Sequence, residues 1–154
     1  LLVVAAIGSA LPAVLGNGRA LGQTAFDATT TLVPLLLLAV GKATATAVTF
    51  AGGSAGGRLT PSLSIGAALG GAIGLTVGNL VGGVDLAAAA VIGAAAFLAA
   101  SMNAPFTALV LTLEFTAVNT TLLLPMLVGT VLAAAVTLLL RHGRPTPNDP
   151  VATD

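Results

Sequence analysis

The sequence predicts an all-α membrane protein built from broken transmembrane helices, and three observations predict it. Only 6% of the 154 residues are charged while 56% are hydrophobic, with a mean hydropathy of +1.08; a soluble domain carries ~25% charge to hydrate its surface. The ten charges, five Lys+Arg and five Asp+Glu, leave uncharged stretches at 59–84, 86–113 and 115–140. Each exceeds the ~20 residues that a helix needs to cross a bilayer. Gly and Pro interrupt these runs at membrane depth, where non-helical backbone is tolerated only inside protein or beside a wet cavity. Helices are favoured over a barrel because the apolar runs are rich in Ala and Leu and do not alternate in period two.

Several function classes fall away. Net charge is zero with no basic patch, which argues against nucleic acid as a partner. With no Cys and a single His, disulfides, thiol catalysis and zinc fingers are excluded. His142 has no local Ser/Asp arrangement and Glu114 is isolated in sequence, so neither a catalytic triad nor a carboxylate pair is expected. No enzyme chemistry, metal or organic cofactor is expected.

Residues 1–15 read as a helix, kinked or ended near Pro12, followed by a turn at Gly16-Asn17-Gly18 and a short amphipathic or surface helix over 19–27 around Arg19 and Asp27. The run Leu1-Leu2-Val3-Val4 opens without a basic n-region, so it is not a signal peptide; it reads as the interior of a longer chain. A span is expected over 30–50 with Pro34 near its start. The segment 51–57 holds four Gly, and Thr60-Pro61 follows. Thr60 is expected as N-cap and Pro61 in the first turn of the next helix. That helix repeats glycine every fourth residue, at Gly66, Gly70, Gly74, Gly78 and Gly82, a small-xxx-small stripe for close helix contact. Gly82-Gly83 ends it and Asp85 caps a small-residue helix over 86–101. Asn103-Ala104-Pro105 breaks the chain, Pro105 opens a helix carrying Glu114, and the last span covers 120–140 with Pro125 in its first turns. Residues 1–142 thus form a transmembrane region and 143–154 a polar, Pro-rich tail. Arg141 and Arg144 flank the last span, which places the C-terminus in the cytoplasm by the positive-inside rule.

The segment with chemical potential runs from Gly52 to Ser64, a Gly-rich loop feeding a helix N-terminus. The first N–H groups of a helix lack internal partners and carry the positive end of its dipole. Glycines admit an ion close to the backbone, so the loop is a candidate anion site. The alternative is a plain turn between helices. A phosphate loop is disfavoured because no Gly-Lys-Ser/Thr pattern follows and no strand precedes.

Gly53-Ser54-Ala55-Gly56-Gly57-Arg58-Leu59-Thr60-Pro61 resembles the Gly-x-Phe-x-Pro segment of CLC chloride channels and proton-coupled chloride transporters. Ala104-Pro105-Phe106-Thr107 through Leu113-Glu114-Phe115-Thr116 resembles the same family's Ala-Pro-Leu-Thr…Leu-Glu-Met-Thr helix. Leu15-Gly16-Asn17-Gly18 is similar to an earlier Gly-rich turn. The resemblance covers about residues 10–145 and implies the second inverted repeat of a fold of tilted, broken helices. It further implies a homodimer with one pore per subunit, the helices at 105–116 and 120–140 lying at the interface. Backbone amides at Gly57, Arg58 and Leu59 would bind chloride, the transported ligand. A missing N-terminal half would supply the family's Ser ligand, gating Glu and proton Glu. The family's Phe is Leu59 here, Arg58 replaces an apolar residue, and the chain has no Tyr to match the family's chloride-binding one.

The remaining polar residues carry two readings each. Glu114 relays protons or, as preferred, caps a neighbouring helix or bonds near the interface. Arg58 lends charge to the anion route, or else snorkels or pairs with a carboxylate of the other half. Lys42 snorkels or pairs. Thr44, Thr46 and Thr49 are expected to bond back to their own helix. His142 is a tail residue or a pH sensor. The sequence thus points to anion transport by a multi-pass protein, with the plasma membrane as its expected location. The rival is a non-conducting module whose glycine stripe packs against an assembly partner.

Overall fold

The computed structural model describes residues 8–9, 31–53, 57–116 and 120–142. Gly8 and Ser9 are helical; the rest of the helix expected over 1–15, the 16–18 turn, the 19–27 helix and the tail from 143 lie outside the described residues. Five helices follow in order: α1 Leu32–Ala51, α2 Leu59–Val81, α3 Leu86–Met102, α4 Pro105–Thr116 and α5 Leu123–His142, the last preceded by a 3-10 turn at Thr120–Leu122. The fold is all-α, as expected. Among the described residues, three segments are long and apolar enough to cross a bilayer: Leu32–Ala51, Leu59–Val81 and Leu123–Leu140. At 17 and 12 residues, α3 and α4 reach only about 25 and 18 Å at 1.5 Å per residue, short of a ~30 Å hydrocarbon core.

Local chemistry sets the boundaries. Pro34 is the third residue of α1 and Pro125 the third of α5, positions where a missing N–H breaks no helical bond. Gly82 stops α2 with φ +75°, and its N–H donates to the Gly78 carbonyl. Asp85 caps α3: the N–H groups of Ala87 and Ala88 donate to Oδ1 at 3.0 and 3.4 Å. Asn103 ends α3 in the left-handed region, φ 55°, which an Asn tolerates better than a branched side chain, and Pro105 opens α4.

Packing centres on α3, which touches α2, α4 and α5, while α1 lies on α2. The main core joins Leu35, Leu38 and Ala39 of α1 with Leu63, Ala67 and Ala68 of α2 and Ala90, Ala94 and Leu98 of α3. A second cluster sets Val91 and Ala95 against Met126 of α5. The alanines among them let the backbones approach closely, the means by which helices associate where lipid removes a hydrophobic driving force.

The glycine stripe faces α3. A Cβ on Gly66 would come within 2.6 Å of the Gly93 carbonyl oxygen and of Phe97 Cβ, and one on Gly74 within 2.5 Å of Ala89 Cβ. At Gly70 it would run into the Ala89 carbonyl and lie 2.8 Å from Gly93 Cα. The falling partner numbers make α2 and α3 antiparallel. Gly78 departs from the expected pattern: its nearest neighbour, Val84 Cβ, is at 3.5 Å, an ordinary contact. Gly82 meets nothing within 4 Å, because α2 has already ended there.

Hydroxyls are absorbed locally. Thr44 and Thr49 donate to the carbonyls of Val40 and Ala45 at 2.8 and 2.7 Å, as expected; Thr46 shows no such bond. Among the described residues no buried side-chain N or O lacks a partner. Lys42 is corrected in one respect: at 4% exposure it is enclosed by the protein, so the snorkelling reading falls. Position 42 lies on the α1 face that packs onto α2, and its side chain is held there.

Candidate anion site

The hairpin between α1 and α2 presents the candidate loop. α1 closes with the N–H of Gly52 on the Val48 carbonyl and that of Gly53 on the Phe50 carbonyl, both at 3.0 Å. Gly53 takes φ +76°, a conformation that glycine adopts at no steric cost. Ser54, Ala55 and Gly56 lie outside the described residues. The chain resumes at Gly57, exposed, and Arg58, also exposed.

The start of α2 corrects the expected cap. Arg58, not Thr60, is the N-cap, with φ −84° and ψ −16° and no side-chain cap bond. Its carbonyl accepts the first helical bond, from the Ser62 N–H at 3.1 Å. Thr60 is therefore the second helical residue and Pro61 the third. Pro61 fits this position because its absent N–H would have had no helical acceptor. The shift of two residues leaves the N–H groups of Leu59 and Thr60 without an intrahelical acceptor. Thr60 thus joins Arg58 and Leu59 as a backbone donor at this end, a role that reading it as a cap had hidden.

No acidic residue occupies the first turn of α2, so nothing within the helix offsets its positive end. The contrast is α3, whose first amides are taken by Asp85. Gly57 stands in open space: a Cβ there would meet nothing within 4 Å, so packing among the described residues does not require a glycine. Leu59, Thr60 and Pro61 are half-buried, while Ser62 and Ser64 are buried. The Ser64 hydroxyl donates to the Pro61 carbonyl at 3.0 Å, bracing the first turn.

Arg58 has a contact that sequence reasoning did not anticipate. Its guanidinium carbon lies 5.0 Å from the centroid of the Phe50 ring, within cation–π range. Phe50 belongs to the last turn of α1, so the contact spans the loop. The pattern Phe-x7-Arg across a glycine-rich turn was visible in the sequence, but only the hairpin geometry makes the two residues neighbours.

Glu114 does not join this site. It is exposed on α4, and among the described residues no hydrogen bond or ion pair reaches it. The expected helix-capping bond is therefore not made within the described chain. His142 belongs to the last turn of α5, and Arg144 lies outside the described residues.

The family model described as voltage gated chloride channel matches residues 1–138. The chain belongs to the CLC family. Membership agrees with both motif blocks, the loop before α2 and the α4 helix, which the match includes. CLC proteins are transporters and channels rather than enzymes, so this chain belongs to a chloride transport protein of the membrane. Among curated proteins, none matches the chain.

Proposed function

We propose that this chain is the C-terminal repeat of a CLC-type chloride transporter and that α2 supplies its part of the ion path. Chloride is held by main-chain N–H groups of Arg58, Leu59 and Thr60 at the helix N-terminus, and Gly57 gives the ion access to them. The observation that carries this reading is the open start of α2: no side-chain cap, no first-turn acid and an unobstructed glycine beside it. A site of partial charges suits conduction, because the ion must leave as readily as it enters. An N-terminal half would complete the pore. Two such subunits pair through the exposed faces of α4 and α5, where Phe106, Val110, Leu124 and Val128 stand uncovered. The Arg141–Arg144 end faces the cytoplasm of a plasma-membrane protein.

The rival reading, a packing module, is weakened by the direction of the glycine stripe. Gly66, Gly70 and Gly74 are occupied by the chain's own α3 and leave no glycine groove for a foreign helix.

Gly57→Val in the whole transporter tests the proposal. The site has room for the side chain, so folding and dimerisation should persist. Chloride flux from liposomes should drop by at least tenfold. Unchanged flux in a folded variant would falsify the backbone-amide site.

A further inference from the structure

We infer that Phe50 holds the Arg58 guanidinium against α1, off the anion path, and so keeps the site's grip on its ion weak. The inference deepens the proposed chloride site and rests on it.

Arg58 poses a problem for such a site. The amides at the start of α2 present about half a positive charge. A guanidinium on the N-cap residue itself adds a full charge within reach of the same ion. Arginine stays charged at every working pH and forks readily onto anions. An ion held by both would bind tightly and leave slowly, which opposes throughput.

The structure gives the guanidinium another partner. The guanidinium lies over the Phe50 ring, 5.0 Å from its centroid. The ring face is the negative pole of the aromatic quadrupole, so it competes with an anion for the same cation. The two residues sit on opposite sides of the loop, Phe50 in the last turn of α1 and Arg58 at the first boundary of α2. The contact therefore also ties the loop's ends together. Phe50 acts as a positioning residue for the cation and does not touch the ion.

The test is a chloride titration of the detergent-solubilised whole transporter, read by quadrupolar broadening of the chloride NMR signal, with its flux measured in liposomes. Phe50→Leu keeps the apolar bulk and removes the ring face. Its chloride affinity should rise about two- to fivefold, the factor that an exposed cation–π contact represents, and its maximal flux should fall. On an Arg58→Met background the same Phe50→Leu change should do nothing. Phe50→Trp, a stronger cation–π partner, should shift affinity in the opposite direction, and it carries the test if Phe50→Leu does not fold.

Saturable chloride binding by the wild type, with no affinity change in folded Phe50→Leu or Phe50→Trp, overturns this inference and leaves the site standing. A change that persists without Arg58 overturns it as well, since the ring alone would then be responsible. No saturable binding by the wild type overturns the site and the inference together.

Discussion

Asp85 holds two amides of α3 with one carboxylate oxygen, and the consequence of losing it is calculable. Asp85→Ala should lower stability by about 1 kcal/mol, the usual worth of an N-cap, as measured by denaturant titration in detergent. It should leave anion binding untouched, because α2 begins at the other end of the α2–α3 pair. Asp85 was legible in the sequence: a short acid just before Leu86 and a run of four Ala has little other use. Thr60 was misread for an equally physical reason. Thr-Pro is a good helix opening, but proline is tolerated throughout the first turn, so the pair alone cannot say whether the helix starts at Pro61 or two residues earlier, at Leu59. Lys42 was half legible. Its charge within an apolar run marked it as unusual, but whether a lysine stem turns outward or inward depends on the neighbouring helix, which a single sequence does not display.

Among the elements, the α2–α3 contact offers predictions of opposite sign from residues of one type. At Gly70 any side chain meets backbone, the Ala89 carbonyl and Gly93 Cα. Gly70→Leu should destabilise by about 3 kcal/mol or more, at or beyond the upper end of overpacking costs, and should reduce the yield of monodisperse protein on size exclusion. Gly78 has only an ordinary contact. Gly78→Ala should therefore stabilise α2 by about 0.5–1 kcal/mol through helix propensity, seen as a higher unfolding midpoint. A destabilised Gly78→Ala would mean that the stripe is in tight contact along its whole length. The period of four announced the stripe, but it could not show where the contact fades. The sequence reading also missed Gly93, the reciprocal partner whose Cβ would lie 2.5 Å from Gly70 Cα. It is one glycine inside an Ala-rich helix with no period of its own, and only the crossing point of the two helices makes it necessary.

For the molecule as a whole, the fold class followed from charge spacing and Gly/Pro placement, and so did the order of helices and the breaks between them over the described residues from 31 onward. The candidate site was legible as a loop feeding a helix start, and the family match includes both motif blocks that suggested the family. What did not follow was tertiary: the Arg58–Phe50 contact, the enclosure of Lys42, and the exposure of Glu114. A carboxylate facing hydrocarbon is costly, and in the proposed two-repeat dimer the partner subunit or the other repeat covers Glu114 on α4. If the chain is one repeat of a two-repeat pore, the 154-residue polypeptide alone in liposomes should take up chloride no faster than empty vesicles. Coexpression with the missing half should restore uptake. Robust uptake by the chain alone would refute the two-repeat reading.

The meeting of Gly66, Gly70 and Gly93 also limits how this protein can change over time. In most cores an enlarged side chain can be accommodated by trimming the neighbour it strikes. Here the struck atoms include the carbonyl oxygens of Gly93 and Ala89 and the α-carbon of Gly93, which no substitution can shorten. A second mutation has nothing to remove, so an error at these positions has no local suppressor. Repair would require the two helices to separate, and a screen for revertants of Gly70→Leu should recover true reversion to glycine at position 70.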